Sequence, residues 1–154
     1  MKKNLYLVLI LLSTNLFALE CNEASFNKGN DEMKSAYTFY NKTSVTPKEQ
    51  KALSKSKISK NNYQSDMKVL EDTLASLNVK TSDIFLASMF NDDSLNTWYA
   101  LESTCKGGYL SAVEKAIEDA EKMKIAIQKR MSTINGHASR TKLVIKVGKN
   151  KYSN

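Results

Sequence analysis

YLSAVEKAIEDAEKMKIAIQKRMSTI, residues 109–134, is the run that decides the fold. Leu110, Val113, Ile117, Ala120, Met123, Ile127, Met131 and Ile134 recur at steps of three or four, so they fall on one side of an α-helix. Asn135-Gly136 follows and reads as a C-terminal stop, because Gly enters the left-handed backbone region without steric cost. A helix with a single apolar stripe needs other helices to cover it. The rest of the chain supplies candidates, so the predicted fold is all-α: an irregular bundle of four to six helices, antiparallel where connectors are short.

Upstream of that helix, Tyr63, Met67, Leu70, Leu74 and Leu77 step by four, three, four and three, a bundle seam. Leu70, Leu74, Leu77, Val113, Ile117 and Ile127 are the predicted shared core. Thr46-Pro47-Lys48-Glu49 is a helix start with Thr46 as N-cap, Pro47 at the first helical position and Glu49 closing a capping box. Whether one helix runs from Pro47 to Leu77, or two pieces hinge near Asn61, is left open by the pattern. Residues 22–30 are polar and read as irregular, with a helix from Asp31 to about Asn41. Asn78 to Thr81 reads as a loop. Asn91-Asp92-Asp93-Ser94 reads as a turn, leaving a short helix from Ser82 and another from Leu95 to Cys105.

Three segments are expected: a signal peptide at 1–18, a helical domain at 19–136 and a basic tail at 137–154. Lys2 and Lys3 precede an unbroken apolar run, Leu5 to Leu12, and Ala18 supplies a small residue for cleavage. The run is short of the roughly 20 apolar residues that span a bilayer, so a cleaved leader outranks a retained anchor. Glu20 before Cys21 does not suit a lipoprotein signal. The expectation is a bacterial protein, periplasmic or secreted, with no transmembrane segment after cleavage. Cys21 and Cys105 are the only cysteines, and in an oxidising compartment they are expected to form a disulfide. It would be worth roughly 4–5 kcal/mol at most in the chain-entropy model.

The formal charge of +7 suggests nucleic acid until it is located. Lys2 and Lys3 lie in the leader, and Arg140, Lys142, Lys146, Lys149 and Lys151 lie in the tail. Residues 19–136 hold 16 basic and 16 acidic side chains, a poor match for a phosphate backbone. The basic tail reads as a disordered segment, a strand paired with a partner, or a contact with anionic lipid or cell-wall polymer; Leu143, Ile145 and Val147 on one strand face would suit edge addition to a partner sheet.

Signs of catalysis are weak. His137 is the sole histidine, expected at the surface or capping a helix end. No metal or haem ligand set can be assembled around it, so no cofactor is expected. Lys106-Gly107-Gly108 lacks the P-loop spacing and reads as a plain turn. Asp92-Asp93 reads as helix-end residues rather than an acid–base or metal pair. Phe85, Phe90, Trp98 and Tyr99 form the densest aromatic region, a core element or a partner surface. The functional reading is an exported, non-enzymatic binding protein whose partner is another protein or a cell-envelope component. The candidate contact residues in the tail are Arg140, Lys142, Leu143, Ile145, Lys146 and Val147. The alternatives are an inhibitor or immunity-type protein guarding against a periplasmic enzyme or toxin, and a small enzyme or cofactor carrier.

Overall fold

A computed structural model describes residues 19–55 and 57–152; the leader expected at 1–18 lies outside these. The described chain is all-α. Helix α1 is Glu23–Lys42, α2 is Pro47–Leu53, α3 is Tyr63–Glu102 and α4 is Gly108–Tyr152, with a 3-10 turn at Lys60–Asn62. Helix α3 is central. It packs along α4 as an antiparallel hairpin, along α1, and more briefly against α2.

Both long helices run through residues that read locally as stops. In α3 the seam continues as Tyr63, Met67, Leu70, Leu74, Leu77, Thr81, Ile84, Ser88, Asn91, Leu95 and Trp98, alternating steps of four and three. That unbroken heptad phase outweighs the poor helix propensity of Asn78 and Thr81. Asn91-Asp92-Asp93-Ser94 is therefore not a turn. Two of its side chains bridge to neighbouring helices: Ser94 donates to the Gly29 carbonyl at 3.0 Å, and Asp92 pairs with Lys124 at 3.2 Å. Asn91 is 1% exposed, and neither atom of its carboxamide has a hydrogen-bond partner among the described residues.

The larger correction concerns the tail. Helix α4 does not stop at Asn135-Gly136, and residues 137–152 are neither strand-like nor separate from the bundle. Ile134, Ala138, Thr141, Ile145, Gly148 and Tyr152 hold steps of four, three, four, three and four, and Ile145 is buried against Ile58, Met67 and Leu70. Burial of that stripe overrides the strand preference of Val144, Ile145 and Val147 and the cost of about 1 kcal/mol for a mid-helix Gly. His137 accordingly lies inside a helix, not past its end.

Helix α1 starts eight residues earlier than its sequence suggests. Asn22 caps it by accepting from the Ser25 N–H at 3.0 Å. Gly29 sits under the Trp98 indole, where a β-carbon would come within 2.6 Å of the ring. Helix α2 begins with the capping box as read, Thr46 accepting from the Glu49 N–H and Glu49 accepting from the Thr46 N–H. It ends at Leu53, and helix resumes only at Tyr63, so 47–77 forms two pieces. Asp66 holds the connection by pairing with Lys55 and accepting from the Ser59 N–H. Ile58 then enters the α3–α4 interface over Gly148.

The core divides into three clusters along the hairpin. At the turn end lie Trp98, Leu101, Cys105 and Val113. In the middle lie Leu77, Ile84, Ala87, Met123, Ile127, Ile134 and Ala138, joined by Met33, Phe39 and Tyr40 from α1. At the far end lie Ile58, Met67, Leu70 and Ile145. Of the predicted core, Leu70, Leu77, Val113 and Ile127 are buried and Leu74 and Ile117 half-buried. Cys21 and Cys105 are joined, S–S 2.06 Å, tying the start of the described chain to the hairpin turn.

Candidate functional site

A 45-residue helix is about 67 Å long at 1.5 Å per residue, and α3 is nearly as long. Helix α1, with 20 residues, covers less than half of that hairpin. It lies over the turn end, as Gly29 against Trp98 and Phe39 stacked on Phe90 show. Among the described residues, the far end has only α2 and the connection that leads from it through Ile58 to α3 for cover. The fold therefore has two differently built ends, and the charges sort between them.

The far end is made of residues 47–72 and 136–152, brought together by the Glu71–Lys149 ion pair at 2.9 Å and the Tyr63–Tyr152 ring contact at 5.8 Å. It carries Lys48, Lys51, Lys55, Lys57, Lys60, Lys68, Arg140, Lys142, Lys146, Lys149 and Lys151 against Glu49, Asp66, Glu71 and Asp72, a net +7. Every one of those cations except the half-buried Lys55 is exposed. Three of the four acids are already paired, with Lys80, Lys55 and Lys149. The turn end, residues 19–42 and 90–125, carries Glu20, Glu23, Asp31, Glu32, Asp92, Asp93, Glu102, Glu114, Glu118, Asp119 and Glu121. Against these stand Lys28, Lys34, Lys42, Lys106, Lys115, Lys122 and Lys124, a net −4.

Set in the basic end is an apolar feature. Leu143 and Val147 are 60% and 56% exposed, one turn apart on α4. They border a cleft of about 370 Å³ floored by Ile58, Val144 and Gly148 and edged by Lys57, Lys151 and Tyr152. A wider, polar cleft of about 740 Å³ adjoins it, sharing Lys151 and Tyr152 and adding Lys60, Asn61, Asn62, Tyr63, Gln64 and Ser65. A strand would have put Leu143, Ile145 and Val147 on one face. The helix separates them: Ile145 turns into the core, while Leu143 and Val147 face solvent. Arg140, Lys142 and Lys146 flank the exposed pair along the same helix.

The aromatic region does not form one surface. Trp98 is 2% exposed and packs edge-on to Phe26 at 5.5 Å. Phe90 is half-buried, stacked on Phe39 at 5.6 Å. Phe85 is exposed, as is Tyr99, whose hydroxyl donates to Glu121 at 2.7 Å. That bond to Glu121 raises the Tyr99 pKa above its ordinary value.

The most buried ionic group is Glu49, whose side chain and that of Lys80 are each 8% exposed. One carboxylate oxygen accepts from Ser76 and Lys80, the other from Lys80 and the Thr46 N–H. Burial pushes the carboxyl up, but Lys80, Ser76 and the Thr46 bonds outweigh it and hold the pKa down to about 2. With four acceptor directions filled, the group is an anchor for α2 on α3 and has none left for a substrate. Lys106-Gly107-Gly108 is a turn, with Gly107 at φ +59°. Among the described residues no three His, Cys, Asp or Glu side chains converge as a metal site would require, and no helix is long and apolar enough to cross a membrane.

Comparison with family models, curated proteins and solved structures returned no match.

Proposed function

We propose that this is an exported, non-catalytic interaction protein that docks on a cell-envelope component through the far, basic end of its helical hairpin. The observation that carries the reading is the sorting of charge by the fold. Eleven basic positions, drawn from two stretches of sequence, are gathered at one end, which also bears the exposed Leu143–Val147 pair, while the opposite end is net acidic. Charge of one sign concentrated on one end steers association and holds a partner in one orientation. Export is supported by the leader pattern at 1–18 and by the Cys21–Cys105 bridge, a bond that persists in oxidising compartments.

Fractionation of cells expressing the full chain tests this. The wild type is expected with the envelope, as is a control in which Lys106→Gln and Lys115→Gln remove charge from the acidic end. Lys142→Gln with Lys146→Gln is expected to release the protein to the soluble fraction. Equal retention of all three proteins would refute docking through the basic end.

A further inference from the structure

We propose that the surface met by the basic end is an anionic phospholipid bilayer; this rests on the docking reading above and names its occupant. The arrangement of the cations favours a plane over a single ligand. Successive residues of an α-helix are turned by about 100°, so Lys142 and Lys146 lie to one side of the exposed Leu143–Val147 pair and Arg140 and Lys151 to the other. Lys57 stands across the cleft and Lys60 beside the adjoining one. A peptide lying in the cleft would meet only the Arg140–Lys151 flank and Lys57. A charged plane can meet both flanks and the far side of the cleft together. The residue type agrees: ten of the eleven basic positions are Lys, and Lys acts as a hydrated point charge, whereas a built site for one phosphate or carboxylate favours the forked Arg.

The apolar pair fits the same partner. Leu143 and Val147 are exposed between these two flanks, where lysine stems can lie along an interface with their ammonium groups among headgroups. The rear of the molecule, net −4, is repelled by such a surface, so the rod approaches with its far end leading. A single pair of apolar side chains inserts shallowly, so binding is reversible and depends on salt.

The test is sedimentation of the disulfide-bonded protein with vesicles of phosphatidylglycerol and phosphatidylcholine, and with phosphatidylcholine alone. Binding is expected to the anionic vesicles only, and to weaken as salt rises from about 0.1 to 0.5 M. Lys142→Gln with Lys146→Gln should lower partitioning about 25-fold, five-fold per charge. Leu143→Asn with Val147→Asn, at unchanged charge, should lower it further than Lys106→Gln with Lys115→Gln, which should leave it unaltered. All these positions are exposed, and circular dichroism verifies that each variant is folded. Equal binding to the neutral vesicles, or equal losses from the two lysine pairs, would overturn the proposal. Absence of vesicle binding while envelope retention still depends on Lys142 and Lys146 would also overturn it, placing the occupant among proteins or polymers and leaving the docking reading intact. Loss of that envelope dependence as well would remove both.

Discussion

The two ends of the α3–α4 hairpin are built from the same heptad seam and finished in opposite ways. The turn end has a third helix, a tryptophan seated on a glycine, a disulfide and a net negative charge. The far end has only the seven-residue α2 and a short connection as cover, a small core around Ile145, exposed leucine and valine, and a net charge of +7. Apolar area and cross-links stabilise a fold, while uncompensated like charge opposes it. The difference teaches that stability is concentrated at one end and that the other carries a surface folding alone does not require.

The largest effect should come from removing the bridge. Cys21→Ser with Cys105→Ser is expected to cost about 2–5 kcal/mol, a fall in Tm of roughly 10 °C by differential scanning calorimetry. An unchanged Tm would break the comparison at its stable end.

Next is acid. Glu49 has its folded pKa at about 2, below the ordinary 4.5. Its contribution is complete above about pH 4.5 and is lost as pH falls towards 2, roughly 3 kcal/mol in all. Urea unfolding across that range should show the loss, and Glu49→Gln should flatten the profile there. A variant profile as steep as the wild type would place the acid sensitivity elsewhere.

The glycines sharpen the contrast. Gly29→Ala sets a β-carbon against the rigid Trp98 ring and should destabilise by about 1–2 kcal/mol, overpacking outweighing the gain in helix propensity. Gly148→Ala meets the far end of the flexible Ile58 side chain, which can turn aside, so the expected change is within about 0.5 kcal/mol of zero. Chemical denaturation of the two variants side by side is the check, and the reverse order would mean that the far core is the tighter one.

Part of this was legible in the sequence. Thr46 to Glu49 named its own capping box, the 63–77 spacing named a seam, and the two cysteines named each other. The misreadings share one cause. Asn78, Asn91-Asp92-Asp93-Ser94 and Asn135-Gly136 are helix breakers by local preference, and local preference is worth about 1 kcal/mol or less per residue. The seam running through them buries Ile84, Leu95, Ile134 and Ile145, each worth about 1.5–3 kcal/mol. The signal that could have found this was phase: alternating steps of four and three continue across every supposed break. At the candidate site, Arg140, Lys142 and Lys146 could be read as a basic run. Their joining with Lys48 to Lys68 could not, because that depends on an antiparallel hairpin folding two distant stretches onto one end.

The central claim, that contacts are made at the basic end, is tested most directly by photo-crosslinking in cells from a benzophenone side chain at position 143 or at position 125. Leu143 and Ile125 are comparably exposed on the same helix, at 60% and 66%. The account predicts adducts with envelope material from position 143 and none above background from position 125. Adducts from position 125 alone, or equally from both, would contradict it.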